Sequence, residues 1–592
     1  MTAEYIIGID LGTTHCVLAY ALASDEAPQI SLLPIPQLVA PGTIEVRNNL
    51  PSFLYLAGTT DPGFDLPWAT NRDFVVGEWA RRQSAESPDR IVSGAKSWLA
   101  HSRVDRHQPI LPWNAPAEVQ KISPVAASQR YLEHLVAAWT QQFPQSPLNR
   151  QKVVLTVPAS FDASARELTR EAALAAGLPT DFVLLEEPQA AVYAWLADAG
   201  DAWRKQAKVG DSLLVVDVGG GTTDLTLVGV AEEEGELQLR RMAVGNHLLV
   251  GGDNMDLTLA HFAAARFAEK GTQLDPWQSV SLWHACRNAK ESLLSENGPE
   301  HEPVAVLGRG RKLVGGTVTI DLDREQTRQL LLDGFFPECD LQATVRRQRA
   351  SGFQQIGLPF EVETAITRHI AAFLRQQSPD GTPAAPTEVL LNGGVFKSPA
   401  IANRLLEVLG KWFPDAPPKP LSGERDLDHA VARGAAYYGW AKDHGGVRIR
   451  GGTARSYYVG IETSGLAIPG VPRPLHALCV VPRGMEEGTS IDINSSEFGL
   501  IVGEPAHFRF FSSSVRKEDR PGDILTHWSE DELSETDSLQ ATLPVSEGEP
   551  GGDVPVHFRS VITELGMFEL WCVSTNSDRR WKLEFSVRED DE

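Results

Sequence analysis

The chain has 592 residues, 42% hydrophobic and 22% charged, a composition suited to several folded units with large cores. Asp and Glu outnumber Lys and Arg by 78 to 54, and the net charge of −24 disfavours nucleic-acid backbones and anionic lipid, which both recruit basic fields. Cys16, Cys286, Cys339, Cys479 and Cys572 are scattered with no CxxC pair, which argues against a zinc knuckle and a disulfide framework.

Met1–Asp10 lacks a basic leader, and no apolar run approaches ~18 residues. The expectation is a soluble, cytoplasmic protein. Tyr5–Tyr20 (YIIGIDLGTTHCVLAY) reads as a β-hairpin with aliphatic arms and a glycine-rich tip. Lys152–Pro158 reads as a strand, and Ala163–Ala176 as an amphipathic helix closed by Gly177. A short strand, Phe182–Leu185, leads into Glu186-Glu187-Pro188 and a helix through Ala197. Leu213–Val230 (LLVVDVGGGTTDLTLVGV) then repeats the plan of the first hairpin. Helices follow from Gly251-Gly252 through Lys270 and over Ser279–Leu294. The stretch EVLLNGGVFKSPAIANRLLEVL from Glu388 gives strand, turn and helix. A last helix, Leu427–Ala441, carries the small residues Ala430, Ala432, Gly434, Ala435 and Ala436 of a tightly docked surface. Such alternation, with an internal echo, indicates a duplicated α/β architecture.

The texture changes at His444–Thr453 (HGGVRIRGGT), a Gly-rich linker with only Val447 and Ile449 apolar. Little docking is expected of it. Beyond it the pattern is all-β, with strands expected at Val556–Ile562, Phe568–Val573 and Trp581–Val587. Pro521–Phe558 holds nine acidic residues and no Lys or Arg, and reads mostly as a solvated loop. The cluster Arg346, Arg347 and Arg349 reads as a solvated loop as well. Trp98, Trp113, Trp139 and Trp195 read as core and edges.

A hairpin tip rich in glycine lets backbone N–H groups converge on a phosphate, with neighbouring threonine hydroxyls adding hydrogen bonds. Asp10 and Asp217 end their first strands, where a carboxylate can hold hydrated Mg²⁺ against those phosphates. Two such tips in a duplicated unit make a pincer for a triphosphate.

GIDLGTT and VVDVGGGTTD resemble the two phosphate loops of the actin, sugar-kinase and heat-shock ATPase superfamily. VVLTVPASFDASARELTREAALAAGL, LLEEPQAAVYAW, LLVGGDNMD, HACRNAKESL, LLNGGVFKSPAI and DLDHAVARGAA follow in the order of the 70-kDa heat-shock (DnaK-like) chaperones. YYVGIETS and VVPRGMEEGTSI resemble the opening of that family's β-rich substrate-binding domain. The resemblance implies a two-lobed α/β actin-like ATPase domain of duplicated RNase H-like units at 1–443. A linker at 444–454 would follow, then a β-sandwich-like, substrate-binding-like domain at 455–592 without a helical lid.

The same resemblance assigns roles. Gly12, Thr13 and Thr14 match the first phosphate loop, and Gly219, Gly220, Gly221 and Thr222 the second. Asp10 and Asp217 match the carboxylates near Mg²⁺, Lys96 the lysine on the γ-phosphate, and Glu187 the residue ordering the attacking water, although Glu187 equally suits a helix cap. Gly251, Gly252, Gly393, Gly394, Lys290 and Asp428 match positions around the nucleoside, and Pro158 and Arg166 the interlobe switch. His15 reads as a packing residue rather than a base. Departures accompany these matches. Ser160 replaces a tyrosine, and Arg287, Glu291 and Leu294 replace a ribose-binding glutamate, an adenine-stacking arginine and a serine. Weakened ATP binding and reduced discrimination from GTP are expected, unless Arg287 and Glu291 merely pair at i,i+4.

The implied function is an ATP-hydrolysing, Mg²⁺-dependent chaperone, ATP or ADP being bound and K⁺ able to accompany the Mg²⁺. Its partners would be unfolded or specific polypeptides, J-domain co-chaperones and a nucleotide exchange factor, with no nucleic acid or membrane. A nucleotide-gated scaffold without client folding is the alternative. A small-molecule kinase stands third, opposed by the appended β segment.

Overall fold

Two sheets of one design account for the internal echo. In the computed structural model, residues 3–583 are described except 59–60, 62, 85, 102, 114, 234–235, 307–317, 347–357, 359, 378–382, 422–425, 448, 451, 454, 464–473, 487, 530–531, 537–538, 545–551 and 564–567. In the first sheet, Tyr5–Leu11 pairs antiparallel with His15–Leu22 and parallel with Lys152–Val157, which carries Val183–Glu186 in parallel on its far side. In the second, Ser212–Val218 pairs antiparallel with Thr223–Glu233 and parallel with Glu388–Asn392. Glu236–Val244 extends this second sheet beyond Thr223–Glu233. The first strands are covered on both faces: Ile6, Ile7, Ile9, Leu214, Val215 and Val216 have no exposed surface. That double burial is why they read as unbroken apolar runs.

The last helix spans Ala430–His444 and lies against the helix Glu187–Ala199 and the strand Tyr5–Leu11. Its start falls three residues later than expected, because Asp428 and His429 are tied to Lys397, Asp426 and Asn49 ahead of the first turn. Small side chains let the backbones touch. A Cβ on Gly434 would lie 1.7 Å from the Ala190 carbonyl oxygen, and one on Gly8 2.2 Å from that of Ala432. Helix propensity alone would favour Gly434→Ala by ~1 kcal/mol. The contact reverses that sign, and we expect a net loss of about 1–3 kcal/mol by urea denaturation. A stabilised variant would mean that the two helices can part cheaply.

The linker docks, against expectation. Ile449–Arg450 forms a short strand parallel to Leu239 and Arg240 on the edge of the second sheet. Ile449 is buried and its N–H donates to Tyr193 Oη at 2.8 Å, while Val447 packs on the same cluster. An open sheet edge recruits a backbone whatever its side chains, so two apolar residues suffice. Arg448, Gly451 and Ala454 lie outside the described residues.

After His444 every described element is a strand. One sheet orders Ile524–Leu525, Leu475–Val481, Ser456–Glu462, Phe510–Ser513 and Ser534–Glu535; the other orders Thr489–Val502, Gly552–Ile562, Phe568–Ser574 and Arg580–Leu583. Leu478, Val480, Val502, Phe558 and Leu570 join both sheets in one cluster. The reading of Pro521–Phe558 as mostly loop needs correction. It holds three short strands and the start of Gly552–Ile562, with Leu533, Leu543, Val554, Val556 and Phe558 buried between its acidic residues. Arg347, Arg349, Val587 and the acidic end lie outside the described residues.

Candidate functional site

The hairpin tips of the two sheets meet across a cleft of about 820 Å³. They fit together closely, since a Cβ on Gly220 would come 2.1 Å from Thr14 Cγ2. Only glycine allows that approach. The second tip is braced from behind, with the Gly252 and Asp253 N–H groups donating to Gly219 O and Gly220 O at 3.0 and 2.7 Å. Gly12, Thr13 and Thr14 line the cleft from the first tip, and Gly219, Gly220 and Thr222 from the second. Gly252, Gly393, Gly394, Lys290 and Asp428 also line it. Gly221 and Gly251 do not. Gly221 abuts Ser97 and Thr13, and Gly251 sits over the Gly219 and Gly220 carbonyls.

In the same cleft, buried Lys96 and partly buried Glu187 form an ion pair. Lys96 comes from the short helix Ala95–Leu99 and Glu187 opens Glu187–Ala199, so the pair joins two elements. Glu187 is therefore spent on Lys96 rather than on capping its own helix, whose N-cap is Glu186. Burial pushes the Glu187 carboxyl up, Lys96 opposes the shift, and Asp10, Asp217 and Asp224 add to it. Burial also pushes Asp217 up to about 7, helped by Asp224 and Asp10 and opposed by Asn392, whose Nδ2 donates to Asp217 Oδ2 at 2.8 Å. Asp10 is raised by burial too, and accepts from Thr156 Oγ1 at 3.3 Å. The cleft thus concentrates carboxylates that lack enough positive charge.

The wall beyond the tips is rearranged. Arg287 does not pair with Glu291. It reaches Asp253 at 2.5 Å and Asp256 at 2.8 Å, and Lys290 meets the other Asp256 oxygen at 2.6 Å. Asp256 is fully buried, so it competes for these cations more strongly than exposed Glu291. Lys397 holds Asp428 at 2.6 Å, and His15 bridges Thr14 Oγ1 to Asp428 O, each at 3.2 Å.

Outside the cleft, Pro158 is buried and accepts from the Phe161 N–H. Arg166 donates to Glu186 Oε1 at 3.0 Å, and Arg241 to the second Glu186 oxygen. Arg241 also donates to Gly452 O, just past the docked strand. Burial would raise Glu186, but the Arg241 and Arg166 charges outweigh it and hold the carboxyl below its usual range. Ser160 donates to Asp224 Oδ1 at 2.5 Å and meets His247 Nδ1 at 2.6 Å, linking the two halves. Sequence reasoning passed over Asn392, Asp224, Glu186 and Arg241. The first two adjoin recognised glycine motifs; the Glu186–Arg241 pair left no local signal.

Residues 67–336 match the family model for the Hsp70 protein. Over this stretch the chain is similar to the 70-kDa heat-shock family. Hsp70 proteins are ATP-binding chaperones, and the two mixed sheets fit the actin-like ATPase fold of that family. The Hsp70 match contains Lys96, Glu187, Asp217, the second tip and Arg287–Leu294, while the first tip, Gly393, Gly394 and Asp428 lie outside it. Among the described residues, no three His, Cys, Asp or Glu side chains converge as a metal site, and no helix is long and apolar enough to cross a membrane.

Proposed function

We propose that the chain is a Mg²⁺-dependent ATPase that couples ATP turnover to polypeptide binding. The observation that carries this reading is the Lys96–Glu187 pair, which lines one cleft with two glycine tips, Asp10 and Asp217. A triphosphate cradled by tip amides would offer Lys96 a stronger anion than Glu187. Glu187, released, then accepts from a water and orients it in line with the γ-phosphorus. Thr222 adds a hydroxyl on the second tip. Asp10 and Asp217 are hard oxygen donors whose unmet negative charge suits Mg²⁺ held through its waters. The ion would supply charge neutralisation on the phosphates.

Residues 1–443 would form the ATPase unit, 444–454 the connection and 455–592 the polypeptide-binding unit. Clients, J-domain co-chaperones and an exchange factor are partners by family alone. Single-turnover ATP hydrolysis with and without an unfolded peptide tests the reading, and stimulation is the expected result. The scaffold reading has one observation of its own, that no described element past His444 is a helix able to close over a peptide. It predicts nucleotide-dependent linker docking without stimulation by peptide.

The raised Asp217 carboxyl gives a pH signature. A folded-state pKa near 7 makes its stability contribution complete below the ordinary carboxylate range and lost as pH rises through 7. Mg²⁺ needs the ionised form. Binding of Mg·ADP at pH 7 should therefore release protons and tighten between pH 6 and 8. Calorimetry in two buffers of different ionisation heat reads this directly, and identical heats would count against it.

A further inference from the structure

We infer that Asn392 is the positioning residue for Asp217, keeping one carboxylate oxygen engaged by the protein and the other open for Mg²⁺. The inference rests on the nucleotide reading above. Ser212–Val218 and Glu388–Asn392 run parallel, and their register sets Asp217 beside Asn392 at the carboxyl ends of both strands. In open α/β sheets that end is where ligands bind. Laterally paired residues leave a sheet on the same face. Here Asn392 Nδ2 donates to Asp217 Oδ2 at 2.8 Å. Both residues are buried, and both line the cleft. Asp217 Oδ1 accepts no hydrogen bond among the described residues, yet it is not an enclosed atom, so it is the oxygen left to the cleft.

Gly393 brackets the carboxylate from the next position. Its φ is +90°, and a Cβ there would lie 2.8 Å from Asp217 Oδ1 and 2.2 Å from Val218 O. The strand end Asn392-Gly393 thus limits rotation of the carboxylate through one hydrogen bond and one close approach. Mg²⁺ demands near-octahedral geometry from its oxygen donors, so a carboxylate that swings loses it. A Lys or Arg in place of Asn392 would hold Asp217 but repel the ion. An asparagine amide donates without a net charge. Ca²⁺ accepts more oxygens in irregular geometry. A fixed Asp217 should therefore favour Mg²⁺ over Ca²⁺, and a loosened one should not.

Asn392→Leu removes the donor at nearly constant volume. It should weaken Mg²⁺-dependent ADP binding roughly tenfold, as expected for a group that orients a metal ligand. Calorimetric titration of ADP in EDTA, and of ADP with Ca²⁺, should change little. In an Asp217→Asn background, Asn392→Leu should cost Mg²⁺-dependent binding nothing further, because its effect runs through that carboxylate. Asn392→Ala, which opens space rather than filling it, supplies the same comparison if the leucine variant does not fold. Equal losses with both ions or in EDTA, no loss with Mg²⁺, or a full additional loss in the Asp217→Asn background overturns the assignment. Wild-type protein that binds ADP with no help from Mg²⁺ also overturns it. Wild-type protein that binds no nucleotide at all overturns the nucleotide reading as well.

Discussion

Lys96→Ala is expected to lower ATP turnover by about two orders of magnitude while nucleotide still binds. The glycine tips offer backbone dipoles, whereas Lys96 is a full charge in the same cleft and kept ionised. Burial works against that charge, but Glu187 and Asp10 outweigh it and raise the Lys96 pKa. Its strongest contact would come as charge develops on the γ-phosphate, so its loss falls on kcat more than on affinity. Removing one partner of a buried pair also strands the other, at about 3–5 kcal/mol. A fall in stability would thus accompany the fall in rate. The double variant Lys96→Met with Glu187→Gln separates the two effects, since it should recover stability and remain inactive. Phosphate release and urea denaturation give both readouts. If Lys96→Ala hydrolyses Mg·ATP at the wild-type rate, the ATPase mechanism is wrong for this chain.

Arg241→Met should release the linker. Arg241 holds the Gly452 carbonyl with one nitrogen and buried Glu186 with another, so it fastens the end of the docked strand to the second sheet. Breaking such a buried charge contact costs about 3 kcal/mol, which corresponds to ~two orders of magnitude in amide-exchange protection. The loss should concentrate at Ile449–Thr453 and at the facing strand Glu236–Val244. Glu186 is held below its usual range, so the contact contributes above the ordinary carboxylate pKa and fades as pH falls through the lowered value. Protection at 449–453 that survives Arg241→Met would show that the sheet edge alone holds the linker. Glu186 adjoins Glu187, which pairs with Lys96, so this contact lies one residue from the cleft pair.

The two hairpins, the helices between them and the paired carboxylates were legible from sequence because their determinants are local. Tyr5–Leu11 and Ser212–Val218 are buried on both faces, so each writes itself as an apolar run ending in Asp and a glycine turn. Small residues in Ala430–His444 announced a close helix contact, and Gly434 against Ala190 is that contact. Helix ends were less legible. Asp428 and His429 looked helical by pattern, yet side-chain partners far along the chain hold them outside the helix.

Only the tertiary structure decided which charged group answers which. Arg287 and Glu291 have helical spacing, but the fully buried Asp256 on a crossing helix outcompetes a solvated neighbour. Ile449 looked too sparse to dock, and an open edge at Leu239 made two residues enough. Glu186 and Arg241, and Ser160 and His247, likewise depend on atoms brought together from distant segments. Periodicity and turn chemistry record what a residue does to its own backbone. The strength of a buried charge or hydroxyl is set by whatever the fold places beside it, and that neighbour is written elsewhere in the chain.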